Sequence, residues 1–285
     1  MTADRRMETF ETPAPIRLRV DIPKGRIKVL AEETAVTRIE LTARHGDSTA
    51  RAWIAEAEIA RNGDDILVKV HRQRLMLFGM GGSIDAVIHA PLASAVKLST
   101  GSGRVETIGR LGDVNAASGS GLIQLDHCAE ARAHTGSGDI VIAGSAGSVD
   151  AKTGSGRISV GKVGANARIV TGSGHAELAE VAGEATLTTA SGNIEIGQAG
   201  DGLEAFAASG SIQVRRADHG RVRAKTLSGR ICVGVASGSA ALLDISTMSG
   251  RVNSELREAD APADGEKRVE LVLSTMSGNV DVARA

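Results

Sequence analysis

A Ser-Gly dipeptide returns along this chain with its Ser at 102, 120, 137, 155, 173, 191, 209, 228, 249 and 277. The intervals are 18, 17, 18, 18, 18, 18, 19, 21 and 28 residues. A spacing this regular marks one supersecondary unit stacked on copies of itself, whereas a low-complexity Gly/Ser tract would scatter its intervals.

Counted from each Ser, the fourth position holds Val105, Ile123, Ile140, Ile158, Ala176, Ile194, Ile212, Ile231, Val252 and Val280, all apolar. The sixth holds Leu125, Ile142, Val160, Leu178, Ile196, Val214, Val233 and Val282, broken only by Thr107 and Ser254. The fifth, between them, is mostly polar. Apolar, polar, apolar is the two-residue period of a strand with one buried face. About nine residues on, a second alternating stretch follows: Val114 and Ala116, Val149 and Ala151, Ala167 and Ile169, Ala185 and Leu187, Val222 and Ala224. Each repeat therefore predicts two short strands and two turns. Eighteen residues close one coil, and the next coil stacks ~4.8 Å above it by parallel backbone hydrogen bonds.

Composition fits that geometry. The chain has 35 Gly, the residue that reverses direction at φ > 0 without a steric cost. It has three Phe, one Trp and no Tyr, as expected of a narrow core packed with Ala, Val and Ile. A column of Thr precedes the Ser-Gly pairs (Thr100, Thr135, Thr153, Thr171, Thr189, Thr226, Thr247, Thr275), with Ser118 and Ala207 completing it. These hydroxyls are expected to be satisfied along the ladder.

Several function classes fall away. Lys+Arg 33 against Asp+Glu 34 gives a net charge of -1, which leaves no electrostatic footprint for nucleic acid, and the few aromatics offer no base-stacking platform. Five Pro and regular apolar patterning argue against disorder. No apolar run reaches the roughly 18 to 20 residues that span a bilayer. The N-terminus, Met1 to Arg6, lacks the apolar stretch of a signal peptide, so the expected location is cytoplasmic, with peripheral envelope association left open.

The Gly turns run into strands, and none is followed by Lys-Ser or Lys-Thr, against a phosphate loop. Asp follows Ser-Gly only at Asp139, against a calcium β-roll. Aliphatic residues come in alternating pairs, not every six positions, against a hexapeptide acyltransferase helix. The seven His and two Cys show no metal spacing. Cys128 and Cys232 lie six repeats apart, too far for a disulfide, as suits a reducing compartment. Neither a cofactor nor a metal is expected.

The ends depart from the repeat. Ile16 to Asp21, Arg26 to Ala31 and Arg38 to Ala43 alternate, and Pro23-Lys-Gly-Arg-Ile-Lys-Val echoes the Ser-Gly-Arg-Ile pattern as a degenerate first coil. Glu56 to Arg61 and Asp65 to His71 flank Asn62-Gly63 and predict a hairpin. Ser48 to Ala55 predicts a short helical turn over the open end. At the other end the repeats lengthen around Arg257 to Gly265, and self-association through a solenoid end is left open. One stretch stands outside any repeat: Arg72, Arg74, Leu75, Met76, Leu77, Phe78 and Met80 combine basic and apolar character before Gly81-Gly82. It reads either as part of the cap or as a partner-binding loop.

Ser83-Ile-Asp-Ala-Val-Ile-His-Ala-Pro91, then Val96-Lys-Leu-Ser-Thr-Gly-Ser-Gly103 and the tandem Ser-Gly coils, resemble the bacterial putative-adhesin β-strand-repeat family over roughly residues 15 to 285. The resemblance implies a β-solenoid acting in surface or envelope interactions, with no catalytic residues to carry over. The expected architecture is all-β: a single parallel β-solenoid (β-helix) of ~18-residue coils with two short strands each. Residues 1–100 form N-terminal strands and a β-rich cap, and 101–285 the regular coils with elongated last repeats. The expected function is a non-catalytic rigid scaffold or binding module for an unknown protein or envelope partner. The competing reading is an enzyme, acyltransferase-like or carbohydrate-active, with a cleft at the junction of cap and solenoid.

Overall fold

The computed structural model describes residues 4–43, 47–71, 82–256 and 267–285. The chain forms two compact units, Met1–Ser145 and Ala146–Ala285, each a parallel β-solenoid of stacked coils.

The first unit contains β1 (Arg5–Glu11), β2 (Arg17–Glu32), β3 (Val36–Ala43), α1 (Ser48–Ala55), β4 (Glu58–Asn62), β5 (Asp65–Lys69), β6 (Ile84–Pro91), β7 (Ala95–Ile108), β8 (Arg110–Leu111), β9 (Val114–Ser120), β10 (Ile123–Cys128), β11 (Ala131–Ser137) and β12 (Ile140–Ser145). One ladder runs β4, β5, β2, β7, β9, β11 and the other β1, β3, β6, β2, β7, β10, β12. β2 and β7 serve both ladders. Each is one long strand folded at a glycine, Gly25 (φ +126°) and Gly103 (φ +159°), where a two-strand coil was expected. The Pro23-Lys-Gly echo is thus a true coil, with Gly25 in register with Gly103.

Its outer edges are closed by a change of sense. β1 and β3 add antiparallel to one ladder, and β4 adds antiparallel to β5 at the edge of the other. Gly63 takes φ +61° in the predicted hairpin. The helix α1 buries Ala50, Trp53 and Ile54. Its N-cap Asp47 accepts from Ala50 N–H at 2.8 Å and Ser83 N–H at 3.0 Å, tying the helix to the start of β6. Burial pushes the Asp47 carboxyl up, but the backbone donors of Ala50, Ser83 and Thr49 outweigh it and hold it below its ordinary value. The one Trp therefore sits under the cap, and no aromatic enters a coil interior among the described residues; Phe206 points outward, 37% exposed.

The second unit contains β13 (Val149–Ser155), β14 (Ile158–Val163), β15 (Ala167–Ser173), β16 (Ala176–Val181), β17 (Glu184–Ser191), β18 (Ile194–Ala199), β19 (Gly202–Ser209), β20 (Ile212–Ala217), β21 (Gly220–Ser228), β22 (Ile231–Val235), β23 (Ser239–Ser249), β24 (Val252–Ser254), β25 (Lys267–Ser277) and β26 (Val280–Arg284). Odd- and even-numbered strands form two all-parallel ladders with a register that repeats Ser on Ser. The inward fourth and sixth positions, such as Ile158, Val160, Ile194 and Ile196, are buried.

Stacking explains the Ser-Gly column. From Gly103 to Gly278 these glycines hold φ between +137° and +159°. Gly174 lies directly on the carbonyl oxygen of Gly156, leaving no room for a Cβ. The Thr column is buried apart from the half-buried Thr247, and its partnered hydroxyls bond backbone carbonyls instead of chaining to one another along the ladder. Thr171, Thr189 and Thr226 donate to the carbonyls of Gly156, Gly174 and Gly210 at 3.2, 3.3 and 3.0 Å, the turn of the coil beneath. These three Thr thereby satisfy turn carbonyls of the coil beneath, Thr135 and Thr153 donate to Ser137 and Ser155 in their own turns, and the buried Thr100 hydroxyl is unpartnered among the described residues.

The chain's last two coils stack out of sequence order. β21 pairs with β25 and β22 with β26, while β23 and β24 pair only on the far side of β25 and β26. Thr275 accordingly donates to Gly229, and Thr247 to Gly278. Side chains give the reason. β25 and β26 turn Val269, Leu271, Leu273, Val280 and Val282 inward, all at most 1% exposed, whereas the coil of β23 and β24 carries Ser254 at its sixth position. Placing the more apolar coil between two neighbours buries more apolar surface than leaving it at the end.

Candidate functional site

On the flat outer face of the first unit the register aligns two rows of outward side chains across six strands. One row runs Ala60, Leu67, Arg19, Lys97, Asn115, Arg132, and the other Asn62, Asp65, Arg17, Ala95, Asp113, Glu130. The two rows are two residues apart along each strand, roughly 6.7 Å. Between them a trough of about 570 Å³ is floored by the backbone of Ile66, Leu18, Val96 and Val114, whose side chains turn into the core. It spans five inter-strand steps, ~24 Å.

The first bank is basic and the second mainly acidic. Arg17 is the exception, and it is consumed: its guanidinium binds the Asp65 carboxylate by two bonds of 2.5 and 2.7 Å. The Arg17 hydrogen bond holds the Asp65 carboxyl below its ordinary value, and Asp65 in turn raises the Arg17 guanidinium. Arg132 stands 4.0 Å from Glu130. Arg19 and Lys97 form no ion pair among the described residues, so two adjacent cations of the basic bank face the trough uncommitted. Aliphatic stems of the Arg and Lys side chains, with Ala60, Leu67 and Ala95, make the walls apolar below the charged heads.

The lining holds no His, Cys, Ser or Thr. Among its carboxylates, Asp65 is held away from the raised pKa that a general acid needs. The arrangement offers recognition groups. Uncommitted guanidinium and ammonium groups donate to anionic oxygens, the facing carboxylates accept from donors, and Asn115 on the basic bank and Asn62 on the other can do either.

The basic-apolar stretch singled out in the sequence, Arg72, Arg74, Leu75, Met76, Leu77, Phe78 and Met80, lies outside the described residues. What is described is its C-terminal flank: Gly82 packs on the backbone of Ala50 at the start of α1. The cysteines are both free. Cys128 is buried, with its thiol pushed up by desolvation, and Cys232 is half-buried and raised chiefly by burial, with Asp281 beside it adding to the shift. Among the described residues no group of three His, Cys, Asp or Glu could hold a metal ion, and no helix is long and apolar enough to cross a membrane.

The trough was not picked out from the sequence, which singled out the Arg72 to Met80 stretch and, for the competing enzyme reading, a cleft at the junction of cap and solenoid. Its signal was there in pairs two residues apart, Arg17 and Arg19, Ala95 and Lys97, Asp113 and Asn115, Glu130 and Arg132. The pairs join only through a register that sets β2 between β5 and β7.

Stacked parallel coils, glycine turns in register and capped outer edges define a parallel β-solenoid domain. The chain belongs to the Toastrack DUF4097 family, which it matches over residues 17–283. No curated protein matches it. Solved structures similar to it include one described as a putative adhesin from Parabacteroides merdae, 12% identical, covering 98% of this chain and 95% of that one with a TM-score of 0.45. Another, described as a putative adhesin from Bacteroides fragilis, is 11% identical, covering 99% and 97% with a TM-score of 0.40. A third, described as a putative lipid binding protein from Parabacteroides distasonis, is 9% identical, covering 98% and 96% with a TM-score of 0.30.

Proposed function

We propose that this protein is a non-catalytic binding module whose ligand surface is the trough on the first unit. The observation that carries the reading is the uncommitted pair Arg19 and Lys97 on a basic bank opposite the carboxylates of Asp113 and Glu130, in a lining without His, Cys, Ser or Thr. The ligand is an extended polar chain of mixed charge, with anionic groups toward Arg19 and Lys97 and hydrogen-bond donors toward the acidic bank. The rigid ladder supports this role, because the side chains are held at fixed spacing before the ligand arrives. The location we propose is cytoplasmic, in keeping with the free thiols of Cys128 and Cys232; cell fractionation checks it.

The test is amide chemical-shift mapping with four probes: an alternating Lys-Glu peptide, polyglutamate, polylysine and a neutral cello-oligosaccharide. The Lys-Glu peptide is expected to shift amides of β2, β7 and β9. Arg19→Glu with Lys97→Glu is expected to weaken it at least tenfold, since one charge-assisted hydrogen bond contributes about 1.5–3 kcal/mol and about 1.4 kcal/mol is tenfold. Shifts elsewhere, none at all, or unchanged affinity in the double variant overturn the reading.

A further inference from the structure

We infer that the end of the second unit formed by β23 and β24 is a homodimer interface, joined to the same end of a second copy by antiparallel strand pairing about a two-fold axis. Because the last two coils stack out of order, this coil has, among the described residues, a neighbour on one side only. Among the described residues each of its strands presents a row of unpaired N–H and C=O groups, a ready template for another strand. Its inward residues are uncovered: Leu243 is 36% and Val252 49% exposed, where their stacking partners Leu271 and Val280 are fully buried. Four of the ten exposed large hydrophobic residues among the described residues, Leu242, Leu243, Met248 and Val252, lie on these two strands.

A second copy fits this edge by charge and by hydrogen bonding together. Arg251 C=O accepts from Val280 N–H, and Glu255 N–H donates to Val282 C=O, so these residues spend their backbone groups inward. By the alternation of a parallel edge, Val252 and Ser254 turn theirs outward. A two-fold axis through Asn253 sets Val252 of one copy opposite Ser254 of the other, in hydrogen-bonded pairs. The same axis sets Arg251 opposite Glu255 twice, on the outer face, where directly opposed charges of unlike sign stabilise a strand pair. The apolar ends of the two solenoids then cover each other. Head-to-tail stacking is disfavoured, since the outer edges of the first unit are closed by β1 and β4 in antiparallel sense and by α1.

Sedimentation equilibrium of the full chain over a dilution series tests this. The expected species has twice the 29.2 kDa chain mass and dissociates on dilution. Arg251→Glu is expected to shift the mass to the monomer, because Glu would face Glu255 across the axis. Arg251→Glu with Glu255→Arg is expected to restore the dimer. Both positions are exposed, and unchanged thermal unfolding in dilute solution confirms that the variants fold. A monomer at all concentrations, a dimer that survives Arg251→Glu, or a double variant that stays monomeric each overturns the inference.

Discussion

Replacing Gly174 with Ala tests whether the Ser-Gly column is a steric requirement of the stack. The new Cβ would stand far inside 3.0 Å of the Gly156 carbonyl oxygen, and φ at this position is +153°. Holding a residue with a Cβ in such a conformation costs about 1–2 kcal/mol. Relieving the contact requires the turn to lift off the coil beneath. That movement loosens the bonds joining the two coils there: Gly156 N–H to Ser173 C=O at 3.0 Å, Ile158 N–H to His175 C=O at 2.9 Å and the Thr171 hydroxyl to Gly156 C=O. Those contribute about 1 kcal/mol each. The total is roughly 4 kcal/mol, a fall in melting temperature of about 10 °C for a chain of this size. Gly63→Ala is the control: φ is +61° there but a Cβ meets nothing within 4 Å, so only the conformational cost remains. Paired urea and thermal unfolding of both variants, followed by circular dichroism, measures the difference. Equal losses at the two positions would refute the stacking argument.

Two further perturbations probe the core and the cap. Ile158→Asp buries a charge at a position with no exposure and is expected to cost several kcal/mol, whereas Ile158→Ala should cost about 2–5 kcal/mol; an unchanged urea midpoint in the Asp variant would mean that the coil register is wrong. Asp47→Ala removes the N-cap of α1 and should destabilise by about 1 kcal/mol at neutral pH. Because the folded carboxyl titrates below its unfolded value, that contribution is fully present above the unfolded pKa and is lost as pH falls through the folded one. The gap between wild type and variant should therefore close in acid, and a gap that widens there would contradict the assignment.

Most of the regular coils were legible because one column does several jobs at once. Ser-Gly fixes the turn, the fourth and sixth residues fix the inward face, and the interval fixes the stacking register, so Ile158, Ile194 and Ile212 could be placed inside from spacing alone. The cap was legible in its parts, through Asn62-Gly63 and the stretch from Ser48 to Ala55, which obey local rules of turn and helix. What local rules cannot give is the order in which similar strands are laid side by side. The trough depends on β2 lying between β5 and β7, pairings between residues 48 and 78 positions apart.

The same limit acts at the other end, and there it has a thermodynamic reading. Intervals of 21 and 28 residues announced an irregularity, but a chain with two similar coils can stack them in either order. The choice falls to the inward residues. Val282 is buried between Val233 and Ser254, whereas Ser254 in that place would bring a hydroxyl next to a column that is aliphatic from Leu125 to Val233. Burying a hydroxyl without a partner is costly, and burying the isopropyl group of Val282 on both sides is favourable. Ser254→Val should therefore narrow the preference for the observed order, and Val282→Ser should cost more than Ser254→Val gains, because only the inner coil is sealed from water.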